Sequence, residues 1–471
     1  MIYLLFSMEF ILFFIAVFAM YWIVPIRFKN VLLLIASYLF YISWNWKFLS
    51  LILISTAMNY VCGLEMYHSK NSSSRKLYLI LGITGDLLLL GFFKYFNFFI
   101  ESLVILSNSL GFHLNLTVLN IILPLGISFY TFETMSYAID IYRKKFAPTE
   151  NLIDFALFVA YFPKLISGPI ERSREIIPKI QAEKHFRNVN FKEGFYLFIY
   201  GLFKKIVIAD SLSPLVNNIF GLPSPSGAEA LIAVYAFAVQ IYCDYSGYID
   251  MARGVSSFFG INLSINFNIP YFAKNPSDFW RRWNITLSSW VRDYIYVPLG
   301  GQDSIFFGIF PLFIAWFIMG LWHGAALNFI LWGVYWFIVI IAYRIIGHLS
   351  FQNRFTIINK IKSILCIIIM FHITAYGWIF FRSKSLSQII AFTKSLFSGI
   401  NLTNIFSVSY FYLYAIILFL IIYEFLQYYY EDTMFIPNKN FYWQMIFYIT
   451  IFFIYIEIGS VSDVKFLYFQ F

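Results

Sequence analysis

Apolar positions in this chain fall in long unbroken blocks rather than in stripes. Residues 8–24, 31–43, 48–62, 77–99, 191–209, 228–252, 305–316, 327–342, 361–381, 407–428 and 442–458 are such blocks, with short polar connections between them. A segment that is apolar all round has no solvent face, and about twenty such residues cross the hydrocarbon core of a bilayer. Residues 151–165 make a further such block, and 119–143 mixes the same apolar background with Pro, Gly, Ser and Thr. Backbone breakers survive at membrane depth only where protein or a cavity covers them. The pattern predicts an all-α polytopic membrane protein of about 11–12 transmembrane helices with in-plane or re-entrant helices, organised as a single domain over 1–471.

The interruptions carry the next layer of information. In 162–172, two prolines and a glycine make a re-entrant or surface elbow. Trp44-Asn-Trp-Lys47 reads as an interfacial break, because tryptophan and lysine settle at headgroup level. Asp86 and Lys94 lie eight residues apart in one block, about two helical turns, which gives either an inward polar stripe or a lysine that snorkels from the span end. Asp244 and Ser246 face a cavity or mark a helix end, while His372 and Glu424 read as satisfied interior polar groups. The one long tract without a span is 262–302, which is amphipathic, aromatic and basic. It reads as an in-plane helix on an anionic leaflet. Alternatively, Arg281, Arg282 and Arg292 gather the phosphates of a charged acyl donor while Asn284 turns inward.

Composition agrees with the pattern and removes other classes. Hydrophobic residues make up 61% and charged residues 12% of the chain, and the mean hydropathy is +0.74, values outside the range of soluble domains. The formal net charge of +9 is spread over short clusters between apolar runs, so topology and anionic lipid account for it better than nucleic acid does. Basic loops at 27–29 and 70–76 suit the cytoplasm and predict both termini outside. The first residues lack the basic n-region of a signal peptide and read as a retained span. Cys62, Cys243 and Cys366 form no pattern of a disulfide framework or zinc site.

Candidate chemistry centres on Met319-Gly-Leu-Trp-His-Gly-Ala325, which puts His323 inside an apolar block. An ionisable residue there marks a functional site by default, and the alternative is an imidazole bonded to a neighbouring helix. Gly320, Gly324 and Ala325 leave room for close approach, and Trp322 offers an apolar wall. A transporter or flippase is the competing class, since Asp86, Lys94, Glu133, Asp244 and Glu424 would line an ion or lipid pathway. The absence of an inverted repeat of broken helices, together with one organising histidine, favours an enzyme.

Four stretches carry a family resemblance: Trp322-His-Gly-Ala325, Phe279-Trp-Arg-Arg-Trp-Asn-Ile-Thr-Leu-Ser-Ser-Trp-Val-Arg-Asp-Tyr294, Leu125-Gly-Ile-Ser-Phe-Tyr-Thr-Phe-Glu133 and Asp244-Tyr-Ser-Gly-Tyr248. Together they resemble the membrane-bound O-acyltransferase family, in its bacterial branch of alginate and peptidoglycan O-acetyltransferases. The resemblance implies that His323 is catalytic, that the second family position falls on Asn284, where this branch commonly carries histidine, and that the helices surround a central passage. It implies acyl transfer, acetyl first, from acetyl-coenzyme A as donor substrate to an extracytoplasmic polysaccharide, with no bound cofactor and no metal. It further implies an SGNH-type esterase-like partner outside a bacterial inner membrane. D-alanyl transfer to teichoic acid is the alternative within the family. The aromatic tail 465–471 resembles tails in which a tyrosine relays the acyl group, which here is Tyr468; an interfacial anchor is the other reading of it.

Overall fold

The computed structural model describes residues 4–112, 116, 118–301, 308–348, 356–399 and 411–458, and all regular structure among them is helical. Six helical runs are long and apolar enough to cross a membrane: Ile26–His68, Ser72–Ser109, Gly227–Ser257, Leu327–Ile346, Ile361–Arg382 and Phe411–Tyr429. Met8–Ile23, Ile309–His323 and Phe441–Glu457 are shorter apolar helices. The first two runs are each subdivided. Lys29–Asn45 and Leu49–His68 meet at the turn Trp46–Phe48, whose entry is capped by the Asn45 side chain. Ser72–Leu90 and Phe96–Ser109 meet at a π-helical turn, Gly91–Tyr95. The protein is a multi-pass membrane protein.

Two compact units make up the chain: Met1–Phe198 with Met251–Ser264, and Ile199–Asp250 with Ile265–Phe471. In the first, helix Ile127–Tyr142 is buried along all of its length but Ile139 and Tyr142, with Leu49–His68 and Ser72–Leu90 packed on it. It starts at Gly126, which takes φ +76°, and a Cβ there would lie 3.2 Å from the Leu165 carbonyl carbon. Glycine meets both demands at once. The breakers of this segment are thus covered by protein.

The block 151–165 differs from the expected span. It forms two short helices, Leu152–Ala160 and Phe162–Leu165, broken at Tyr161. At 1.5 Å per residue the longer one spans about 14 Å, half of a bilayer core. Pro163 cannot donate a backbone bond to continue the first helix, and the chain turns into the elbow anticipated for 162–172. The elbow is wholly buried from Phe162 to Arg172. Lys164 pairs with Glu133 inside this unit, and the Glu171 carboxylate accepts the Ser264 N–H at 2.6 Å and its Oγ at 2.9 Å.

Asp86 is fully buried and accepts hydrogen bonds from Ser55 Oγ (2.8 Å), Asn59 Nδ2 (3.0 Å) and Thr134 Oγ1 (2.7 Å). Lys94 donates to Ser128 Oγ at 3.2 Å, so it turns inward rather than snorkelling.

In the second unit Lys204 and Lys205, which the sequence places near a span end, are buried at 3% and 0% exposure in a π-helical segment, Phe203–Ala209. Lys205 pairs with Asp210 and Asp244, each at 2.7 Å, and Lys204 with Asp250 at 2.5 Å. Asp244 is therefore an ion-pair partner, not a cavity-lining acid. Glu424 is buried and accepts from the Tyr242 hydroxyl, as its interior reading requires. His372 departs from that reading: it is exposed, and its Nδ1 bonds the Ile368 carbonyl of its own helix at 2.7 Å.

Candidate active site

His323 is the last residue of helix Ile309–His323, because Gly324 leaves the helix with extended backbone at φ −170°, ψ 154°. The chain returns at once as helix Leu327–His348. The two helices close on glycines: a Cβ at Gly320 would lie 3.1 Å from the Phe329 carbonyl carbon, and one at Gly333 would lie 3.1 Å from that of Trp316. This approach is what small residues permit in membrane helix pairs. It holds the imidazole at the end of a rigid hairpin.

The imidazole is 6% exposed and sits in an aromatic box. Trp332 meets it edge-on at 4.9 Å between centroids, Phe381 at 5.0 Å and Trp322 at 5.0 Å. Trp378 closes the next layer, 6.1 Å from Trp332 and 5.6 Å from Phe381. The indole nitrogens of Trp332 and Trp336 are buried without hydrogen-bond partners among the described residues. Such walls keep water out and strengthen any electrostatic interaction made within them.

Within the second unit, residues 265–301 of this tract dock onto the box through their aromatic side. Trp283 packs on Trp378 at 4.8 Å, Trp280 on Trp316 at 4.7 Å, and Phe279 lies parallel to Trp336 at 5.3 Å. Its short helices, Pro276–Trp280 and Ile285–Val291, turn Phe279, Trp280, Trp283, Trp290 and Tyr294 into the protein. Packing against other tryptophans, rather than lipid, covers the aromatic face of this tract. The arginines lie on the opposite side. Arg282 pairs with Asp278 at 2.7 Å, Arg292 pairs with Asp293 at 2.8 Å, and Arg281 is exposed.

Between the two short helices stands Asn284, 1% exposed, in the left-handed conformation at φ 42°, ψ 54°. Asn, Asp and His are the non-glycine residues that tolerate this region best. The backbone thus admits either asparagine or histidine here. Asn284 Oδ1 accepts from Asn266 Nδ2 at 3.2 Å and from the Tyr245 hydroxyl at 3.5 Å. Its Nδ2 is buried without a partner among the described residues, an unspent donor that costs free energy unless something occupies it. Asn266, Tyr245 and Thr286 were not legible as site residues, since Asn266 lies eighteen residues from Asn284 with no periodicity between them. Tyr468 lies outside the described residues.

Residues 39–383 match the family model described as MBOAT, membrane-bound O-acyltransferase family. The chain belongs to that family. It is accordingly an O-acyltransferase. It is 39% identical over 386 residues to the probable alginate O-acetylase AlgI of Azotobacter vinelandii, covering 80% of this chain and 74% of that protein. The counterpart from Pseudomonas aeruginosa, also named a probable alginate O-acetylase, is 39% identical over 395 residues, covering 83% of this chain and 74% of the relative. The peptidoglycan O-acetyltransferase of Helicobacter pylori is 34% identical over 411 residues, covering 80% and 76%. The O-acyltransferase match spans the hairpin of His323, the Asn284 tract and the helix carrying Asp244 and Tyr245.

Proposed function

We propose that this O-acyltransferase acetylates an extracytoplasmic polysaccharide, an alginate-like polymer or peptidoglycan, from the inner membrane of a bacterium. Acetyl-coenzyme A supplies the acetyl group from the cytoplasm, and an SGNH-type esterase-like partner completes transfer outside. Residues 1–471 act as one catalytic domain. The observation that carries this reading is the unspent, buried amide of Asn284 on the tract packed against the aromatic box of His323. The polymers named for the relatives support the choice of acceptor.

The chemistry needs a base and an oxyanion donor. One imidazole nitrogen of His323 takes the proton of the acceptor hydroxyl as its oxygen bonds to the thioester carbonyl carbon. General-base assistance of this kind contributes about 10²–10⁴-fold. The carbonyl oxygen becomes an oxyanion, which Asn284 Nδ2 hydrogen-bonds. Collapse restores the carbonyl and breaks the carbon–sulfur bond, and the departing thiolate takes the proton back from the imidazolium. Arg281, Arg282 and Arg292 gather the donor phosphates, with Trp322 as a wall of the site. Tyr468 supplies the first acceptor hydroxyl, giving a phenolic ester whose good leaving group drives passage to the partner.

Purified protein in detergent tests this with acetyl-coenzyme A alone, through slow release of free coenzyme A to water. Release that disappears in His323→Ala supports the reading, and release that persists there overturns it.

A further inference from the structure

We infer that Asn266 is the positioning residue of this site, which sets the direction of the Asn284 amide; the inference rests on Asn284 serving the oxyanion. An asparagine side chain is nearly symmetric in shape, so its hydrogen bonds alone decide which end faces a substrate. Asn266 is fully buried, and its own direction cannot be reversed. Its Oδ1 accepts the backbone N–H of Thr286 at 2.9 Å and the Thr286 hydroxyl at 2.9 Å. A backbone N–H only donates, so the oxygen of Asn266 must point there and its Nδ2 must point to Asn284. The backbone is pinned as well, because the Asn266 carbonyl accepts the Ile285 N–H at 3.0 Å.

Polarity then passes along the row in one sense. The Thr286 N–H meets the oxygen of Asn266, the nitrogen of Asn266 meets the oxygen of Asn284, and the nitrogen of Asn284 is left over as a donor. Reversing Asn284 would set its NH2 against the Asn266 NH2 and leave two buried donors facing each other, each unsatisfied and each destabilising. Asn266 touches no reacting atom. It acts through Asn284, and it requires only an acceptor at position 284, which a histidine ring nitrogen also provides.

The test is a double-mutant cycle read as acetyl-coenzyme A cleavage by full-length protein in detergent. Asn266→Asp keeps the shape and the Thr286 bonds but sets oxygen against Asn284 Oδ1. Turnover is expected to fall roughly 10- to 100-fold, as misplacement of a catalytic group by a fraction of an ångström does, with KM within about twofold of wild type. Asn284→Ala is expected to cost about 10²–10³-fold. The double variant should turn over no more slowly than Asn284→Ala, since residues acting as one unit are not additive. Asn266→Ser, too short to reach Asn284, replaces Asn266→Asp if the latter does not accumulate. Normal turnover in the Asn266 variant beside an impaired Asn284→Ala, or losses that multiply in the double variant, overturns the inference alone. Full turnover in Asn284→Ala overturns the oxyanion assignment, and the inference with it.

Discussion

Asp244 and Lys205 form an ion pair at 2.7 Å in which the side chains are 2% and 1% exposed, and Asp210 shares the same ammonium at 2.7 Å. A buried ammonium with two carboxylates is costly to break, because removing one partner leaves an uncompensated charge. Lys205→Ala is expected to destabilise the fold by about 3–5 kcal/mol, and Asp244→Ala by less, since Asp210 continues to hold the ammonium. Thermal unfolding in detergent checks the order of the two. An unchanged midpoint for Lys205→Ala would show that the pair contributes nothing to the fold.

His323→Ala should abolish acyl transfer while the protein accumulates in the membrane at its usual level. The side chain ends a helix and faces a box of rings, so its loss leaves a cavity that the hairpin glycines do not depend on. Acetyl content of the cell's polysaccharide measures the effect. A variant keeping one tenth of the activity removes His323 from the chemistry.

Two glycines should respond in opposite ways to alanine. At Gly320 a new Cβ meets the backbone of Phe329 and Ile330 on the returning helix, whereas at Gly91 it meets nothing within 4 Å among the described residues. Overpacking against backbone costs about 1–3 kcal/mol and would also shift His323, three residues on, so Gly320→Ala is expected to lower both stability and turnover. Gly91→Ala, at a helical φ of −60°, should be neutral or gain a few tenths of a kcal/mol. Equal behaviour of the two variants in detergent unfolding would refute the packing account.

Tyr468→Phe separates relay from anchor. The substitution keeps the ring but removes the hydroxyl. Polymer acetylation should vanish with protein levels unchanged, while coenzyme A release to water continues. Unchanged acetylation returns the tail to an interfacial role.

Much of this was legible without coordinates. Blocks of apolar residues specify membrane helices because the bilayer is an apolar solvent and every backbone group must be satisfied within the segment, so class and architecture follow from composition and length. The place of His323 was legible for the same reason, as a titratable group where lipid-like sequence surrounds it. Pro163 marked the elbow at 162–172, but not that the expected span 151–165 is cut into Leu152–Ala160 and Phe162–Leu165.

Contacts between residues far apart in sequence were not. Lys204 and Lys205 lie near the end of the apolar block 191–209, and only the folding of Asp210, Asp244 and Asp250 around them makes them interior charges. The tract 262–302 has the composition of a surface helix, and only the tryptophans of three other helices turn its aromatic side inward. Asn284 was identifiable by motif, but its left-handed backbone, its bond to Asn266 and its spare donor exist only once two distant segments pair. Periodicity records which solvent a segment meets. The direction of a hydrogen bond depends on which atom of another segment arrives to share it, and that is decided by the tertiary fold.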